Sequence, residues 1–597
     1  MTDDRSPRLL WTDDGAPQSG RFGDVYFSRE DGLAETRAVF LTGCGLPEAW
    51  AGRRSFTVAE LGFGTGLNIA ALLDLWRRTR PAGGHLHIAS VEGFPLTRDE
   101  AARALSAWPE IADAVQALLV AWPAPTPGLH RMDLPGFHAT LDLMIGGVEE
   151  VLEQWSGQAD AWFLDGFAPS TNPGMWSDAV MDLIAARSAP GARVATFTVA
   201  GVVRRGLSGR GFTVAKMPGH GLKRERLEAR LPGERPDPAP PRVAIVGAGI
   251  AGASLARAFA ALGITPTVIE ADRPGAGASG FAASLVTPRL DAGDRGIAAL
   301  YASALERAGV LYGATPGAVL AKGVLQLEQA PRDAARHAKV AAQDLWPEGA
   351  MVPLDAAACA ERLGEPVETG GLWMADAMAI RPAKVLEQWL DGVEVIRGTV
   401  GGLERRDDGW RLTTSDGQTL LETDVVVLAA GWGNAALSPE IALAPVAGQA
   451  ETVDGVDARP TAWGGYAVPT GEGLLFGATH DRGVTAPEVT PEAAGRNLTT
   501  VAARLPALAA RIVAAGPSAS RVAVRATTPD RLPLAGEIGG GLYILGGMGS
   551  RGFCASPLLA EHVAALATGR PSPLAGALAA RVNPARAAAQ KPLAPLT

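Results

Sequence analysis

The sequence predicts an α/β protein: two successive doubly wound, Rossmann-like domains, the second carrying an added α+β substrate domain. Three observations predict it. A short apolar strand, a Gly-rich turn and an Ala/Leu-rich helix follow one another twice, around residues 60–68 and around 247–252. Each turn is followed by an acidic residue at the end of the next apolar strand, Glu92 and Glu270. Between the two patterns, the stretch 232–241 (PGERPDPAPP) holds five prolines in ten residues, the composition of a stiff extended connector. The expected layout is a first domain over 1–231, a linker over 232–241, a second domain over 242–583 and a tail over 584–597.

At 597 residues the chain exceeds what one core ordinarily holds. Apolar residues at 47 % and charged residues at 20 % match a soluble globular composition. Cys44, Cys359 and Cys554 are too scattered for a C-x-x-C pair or a disulfide framework. Free thiols in a reducing cytosol are the expectation, with no metal site. The opening MTDDRSPRLLW is charged and lacks the apolar core of a signal peptide. No apolar run reaches the roughly 20 residues that span a bilayer. These features predict a cytoplasmic protein with no membrane partner. The net charge of −9 argues against a nonspecific polyanion binder, although a local basic stripe can still bind nucleic acid.

In the first half, Phe56, Val58 and Leu61 mark a strand, and Ile69, Leu72, Leu73 and Trp76 have the spacing of a buried helix face. The turn between them, ELGFGTGLN, is not G-x-G-x-x-G and lacks a phosphate-binding Lys-Ser/Thr. It resembles the first motif of class I methyltransferases. That resemblance implies S-adenosylmethionine as co-substrate, with Glu60, Gly62, Gly64, Gly66 and Asn68 around it and Glu92 on its ribose. Further on, Trp162, Phe163 and Leu164 form a strand that places Asp165 at its carboxyl end, where open α/β sheets hold their sites. A carboxylate there can orient an amine for methyl transfer, and Phe167, Pro169 and Trp176 can wall a flat base. The plainer reading of Asp165 is a helix cap or a loop hydrogen-bonder. From 204 to 230, eight Lys/Arg face two Glu, and Arg204, Arg205, Lys223 and Arg224 are candidates for a phosphate backbone. A solvated charged face is the competing reading of this run.

In the second half, Val243, Ile245 and Val246 precede Gly247, Gly249 and Gly252, which match G-x-G-x-x-G. Glu270 lies 18 positions after Gly252, in register for the ribose of an adenine dinucleotide. The segment GAGASGFAASLVTPRL, with Ser279, resembles the flavin-approach loop of the D-amino-acid oxidase group, and DVVVLAAGWG resembles that group's second strand and turn. Near the end, Gly546, Gly547 and Gly549 form a turn before a helix expected to start near Pro557. The N-terminus of that helix would face the flavin pyrimidine and stabilise its anionic reduced form. FAD is therefore favoured over NAD. In glycine and sarcosine oxidases, arginines placed like Arg525 and Arg551 grip the substrate carboxylate; a surface or structural role is the alternative for each.

Taken together, the two halves resemble the MnmC family of bifunctional tRNA 5-methylaminomethyl-2-thiouridine biosynthesis proteins, over nearly the whole chain. The resemblance is carried by DVYFSREDGLAETRAVFLTGCGLPEAW, ELGFGTGLN, WFLDGFAPSTNPGMW, GLKRE, the FAD fingerprint, LGGMGSRGF and the domain order. It implies tRNA as partner, through the anticodon stem-loop and its wobble uridine. The flavin domain would oxidise the carboxymethylaminomethyl group and release glyoxylate, and the methyltransferase domain would then methylate the resulting amine. Arg525 or Arg551 would hold the leaving carboxylate and Asp165 would orient the amine. A monomer is expected. One departure stands out: Gly146 and Gly147 occupy the place of the family's Gly-Asp, so adenine recognition is left to the backbone or to Glu149. Two other functions stay open: an oxidase of free glycine-like amines with an accessory front domain, and a nonenzymatic tRNA-binding module with a structural flavin.

Overall fold

A computed structural model describes residues 5–13, 15–27, 31–221, 224–516 and 518–588. Lys223 and residues 589–597 of the expected tail lie outside the described residues. The chain divides into two compact units: 1–239 together with 570–576, and 240–569 together with 577–597.

The first unit is built on eight strands: β1 (Ser55–Leu61), β2 (His85–Glu92), β3 (Gly128–Leu134), β4 (Ala139–Ile145), β5 (Ala159–Leu164), β6 (Ser188–Thr196), β7 (Thr213–Pro218) and β8 (Glu225–Arg230). Their order is β3-β4-β2-β1-β5-β6-β8-β7. The central five are parallel, while β3 and the β7–β8 pair run antiparallel to their neighbours. From β1 the chain goes to β2 on one side and later to β5 on the other. Strand order therefore reverses at β1, and such a reversal opens a crevice beyond the carboxyl ends of the strands. Helix α1 (Leu67–Thr79) follows β1 and buries Leu67, Ile69, Leu72, Leu73 and Trp76. Edge-to-face contacts of Trp50 with Phe56 and Trp76 fill the core beneath it.

The second unit carries a six-stranded sheet of β9 (Val243–Val246), β10 (Thr267–Glu270), β11 (Glu394–Arg397), β12 (Val425–Leu428), β13 (Leu534–Gly539) and β14 (Leu542–Gly546). Its order is β11-β10-β9-β12-β14-β13, parallel except for β13. Helix α2 (Ile250–Ala261) leaves β9 through the Gly-rich turn. A ten-stranded, mainly antiparallel sheet and a small meander (Gly402–Arg406, Gly409–Thr413, Thr419–Thr423) complete the unit. Helices α3 (Arg295–Gly313) and α4 (Gly552–Thr568) pack together and α4 also packs on α2. The buried Glu561 of α4 binds Arg307 of α3 at 2.6 Å and also meets Arg257 of α2.

Helix α4 begins at Gly552, earlier than the start expected near Pro557. Proline inside a helix removes the N–H that would bond four residues back, here to the Phe553 carbonyl. The fully buried Tyr312 of α3 replaces it, its hydroxyl donating to that carbonyl at 2.7 Å. Burial raises the Tyr312 phenol well above its usual pKa, so it stays a donor. A distant side chain thus lets the helix start a full turn earlier, at the edge of the cavity described below. Tyr312→Phe, which orphans a buried carbonyl, is expected to lower stability by about 1–3 kcal/mol, read as a lower denaturant midpoint at unchanged m-value.

Candidate active sites

The first site forms at the carboxyl ends of β1, β2 and β5. Gly62 has φ of +90°, and a Cβ there would lie 2.0 Å from the Asp165 carbonyl oxygen. Only glycine lets the turn after β1 pass against the end of β5, and the Asp165 amide bonds the Leu61 carbonyl at 3.0 Å. Gly64 and Gly66 also have positive φ. The Glu92 carboxylate accepts from the amides of Gly64 (2.8 Å) and Phe94 (2.7 Å), so it sits at the tip of the Gly-rich turn. Burial raises its pKa, against the pull of those amide donors.

Glu60 and Asn68, expected around the cofactor, are both buried, and Asn68 bridges Glu60 to Asp165. Asn68 Nδ2 donates to Glu60 Oε1 at 3.1 Å and to Asp165 Oδ2 at 2.6 Å. Ser90 donates to the other Glu60 oxygen, and Thr36 donates to Asn68 Oδ1 at 2.7 Å. Burial, aided by the nearby Asp165 charge, pushes Glu60 well above the usual carboxylate range. Thr36 comes from the DGLAETRAVF block, which composition does not explain.

Around these carboxylates stand four half-buried aromatic residues. Phe167 lies 4.9 Å from Phe22 and 5.5 Å from Tyr26, and Phe22 lies 5.6 Å from Phe94. The Trp176 indole holds the Phe167 carbonyl at 3.0 Å. Phe22, Tyr26 and Phe94 were not singled out in the sequence, because their tertiary neighbours are far away in the chain. Gly146 donates to the Glu92 carbonyl at 3.0 Å, and Glu149 is exposed in the first turn of the helix Val148–Gln154.

The basic run is partly neutralised. Arg210 pairs with Asp178 and Asp182, Lys216 with Glu225 and Arg226 with Glu228. Arg204 and Arg205 are exposed on the helix Gly201–Ser208, which follows β6, the neighbour of β5; Arg224 is exposed before β8.

The second site is a cavity of about 940 Å³ in the second unit. Gly247, Gly249, Glu270, Ser279, Gly546, Gly547 and Gly549 all line it, as do Arg525 and Arg551. A Cβ at Gly252 would lie 1.8 Å from the Gly247 carbonyl oxygen, so the tight entry into α2 needs glycine. Glu270 accepts from the Ala248 amide at 2.7 Å, and Ser279 Oγ accepts from the Ile250 amide at 2.9 Å. The N-terminus of α2, with its positive dipole end, therefore opens into this cavity. FAD fits this cradle and S-adenosylmethionine fits the first.

Three lining residues are charged: Glu270, Arg525 and Arg551. Arg525 lies on the strand Ala519–Thr527 and donates to Ser550 Oγ and to the Thr479 carbonyl, each at 3.1 Å. Arg551 precedes α4 and donates to Thr287 Oγ1. Ser550 thus ties the two guanidinium-bearing segments to one turn. Burial lowers both arginine pKa values and raises the neighbouring Tyr466 phenol to about 12. His480, also in the lining, is pushed down by burial and by Arg525, which favours its neutral form. Tyr466 and His480 carry no motif and emerge only from the fold, while Ser550 sits within LGGMGSRGF but was not singled out there.

Among the described residues, no group of three or more His, Cys, Asp or Glu is placed to hold a metal ion, and no helix is long and apolar enough to cross a membrane. Cys44, Cys359 and Cys554 are free and buried.

Residues 242–566 match the family model of FAD-dependent oxidoreductases, and residues 109–232 match that of S-adenosyl-L-methionine-dependent methyltransferases. The crystal structure of L-proline dehydrogenase from P. horikoshii has a similar fold, with a TM-score of 0.50 and 18 % identity, covering 58 % of this chain and 98 % of that one. A tRNA 5-methylaminomethyl-2-thiouridine biosynthesis bifunctional protein MnmC of Caulobacter vibrioides is 57 % identical over 575 residues, covering 96 % of each chain. The protein of the same name from a Caulobacter species is 54 % identical over 597 residues, covering 98 % of each. With both domains present in this order and the likeness running end to end, the chain belongs to the MnmC family: it is a bifunctional tRNA-modification enzyme, a methyltransferase joined to an FAD-dependent oxidoreductase.

Proposed function

We propose that this enzyme completes a two-step change on the wobble uridine of tRNA in the cytoplasm, where tRNA is used. The second unit oxidises the carboxymethyl methylene of 5-carboxymethylaminomethyl-(2-thio)uridine to an imine, and water then splits its C–N bond, leaving the 5-aminomethyl nucleoside and glyoxylate. The first unit then methylates that amine to 5-methylaminomethyl-(2-thio)uridine. The observation that carries this reading is the second unit's cavity, where two arginines face a space floored by the Gly-rich turns and the lining acid, Glu270, is held at the Ala248 amide. Such a site suits a glycine-like N–CH₂–COO⁻ group.

When bound, FAD accepts the hydride and S-adenosylmethionine supplies the methyl group. Arg525 and Arg551 bind the carboxylate and so fix the adjacent methylene, because a guanidinium fork sets direction as well as distance. Tyr466 stays protonated and can donate to the same group. Glu270 and Glu92 bind ribose hydroxyls of their respective cofactors. Asp165 accepts a hydrogen bond from the substrate amine and turns its lone pair toward the methyl group. Phe167, with Phe22 beside it, gives the flat pyrimidine an apolar face. Arg204, Arg205, Lys223 and Arg224 contact the tRNA backbone; Arg210, Lys216 and Arg226 are already paired within the protein and contribute less.

The direct test holds the full-length yellow protein anaerobically with tRNA from cells that cannot complete this modification. Flavin bleaching is expected, followed, on adding S-adenosylmethionine, by a gain of one methyl group on the wobble nucleoside in mass analysis. No bleaching with tRNA but bleaching with free glycine or sarcosine would overturn the tRNA reaction and leave a plain amine oxidase. Arg525→Ala or Arg551→Ala is expected to slow flavin reduction by tRNA on the order of 10–100-fold while methylation of aminomethyl-tRNA continues. Two variants with unchanged reduction would remove the carboxylate clamp. Asp165→Ala is expected to lower methylation by about 10²-fold or more with normal flavin reduction. Methylation that survives it would make Asp165 structural.

A further inference from the structure

Asn68 occupies an unusual junction. Its two amide hydrogens meet two different carboxyl groups, Glu60 from the end of β1 and Asp165 from the end of β5. Its oxygen is taken by the Thr36 hydroxyl, which arrives from the helix Gly32–Thr36 outside the sheet. Turning the amide over would set its oxygen against both carboxyls, so these partners allow one orientation. The side chain is 6 % exposed and lies in the first turn of α1, so few alternative positions exist for it. Ser90, from β2, holds the far oxygen of Glu60 and stops that carboxyl from rotating away. Four elements, β1, β2, α1 and the helix Gly32–Thr36, thus meet in the Glu60–Asn68 pair, and Asn68 passes on to one oxygen of Asp165.

We propose that Asn68 is the positioning residue of the methyltransferase site: held by Thr36 and Glu60, it fixes the Asp165 carboxylate in one orientation toward the substrate amine. This rests on the proposed amine-orienting role of Asp165. The Asn68–Asp165 hydrogen bond, at 2.6 Å, ties one Asp165 oxygen to a side chain that is itself held at two other points. Burial, and after it the Asp165 charge, push Glu60 toward its neutral form. A neutral bridge between two acids aligns the acceptor without adding a counter-charge. A lysine or arginine at this position would neutralise Asp165 and weaken its hold on an amine.

The test compares full-length wild type, Asn68→Leu and Thr36→Val on aminomethyl-tRNA. Asn68→Leu preserves volume and removes both donors. It is expected to lower kcat for methylation about tenfold or more, while the Kd for S-adenosylmethionine by calorimetry changes less than threefold. Thr36→Val, which removes the donor to the Asn68 oxygen, is expected to lower kcat about threefold. Flavin reduction by tRNA stays at the wild-type rate in both. An Asn68→Leu enzyme that loses S-adenosylmethionine affinity more than tenfold but keeps kcat at saturation overturns the proposal and makes Asn68 a cofactor contact. Wild-type enzyme that does not methylate this tRNA overturns the proposed reaction itself. If wild type methylates normally and both variants match it, only the positioning role falls.

Discussion

A Cβ at Gly62 would strike the carbonyl of Asp165, and a Cβ at Gly252 would strike the carbonyl of Gly247. These two close approaches set the geometry on which both sites depend. In the first unit the turn after β1 touches the end of β5, which brings Glu60, Asn68 and Asp165 within hydrogen-bond reach. In the second, the tight turn after β9 aims the N-terminus of α2 into the cavity and lets Glu270 reach the Ala248 amide. Side chains at either glycine would push strand ends apart, and the carboxylates that face the crevices would move with them.

The two units solve different electrostatic problems with the same architecture. The methyltransferase site gathers three acids, Glu60, Glu92 and Asp165, where an amine is to be received. Close packing of acids is costly unless some are neutral or well bonded. Here burial shifts Glu60 and Glu92 upward, and amide donors from Gly64, Phe94 and Asn68 meet their oxygens. The oxidoreductase cavity has the opposite character. Two half-buried arginines face its interior, and the hydroxyls of Ser550 and Thr287 and the Thr479 carbonyl accept their N–H groups. Those guanidiniums are weakly solvated and have binding capacity left for an anionic group.

Supporting contacts come from far along the chain. Tyr312 completes a helix whose own proline leaves Phe553 without a donor. Thr36 reaches Asn68 across 32 residues of sequence, and Phe22 reaches Phe167 across a much longer interval. Each places a group in the site that neither strand nor helix periodicity marks.

Much of this was legible in the sequence. Strand–turn–helix order, the two Gly-rich turns, the acids after them and the proline-rich connector are local patterns, because period, turn chemistry and spacing are properties of neighbouring residues. The family signature and the two cofactors followed from those motifs. Helix α4 was misjudged by about a turn, since its start depends on Tyr312, a residue more than two hundred positions away. Which cations of the basic run are already paired, that Glu60 and Asn68 face Asp165 inside the fold, and that Arg525 and Arg551 share one cavity with Tyr466 and His480 were decided by tertiary structure alone. Those relations are distances between segments remote in sequence, and no local pattern encodes them until the sheets assemble.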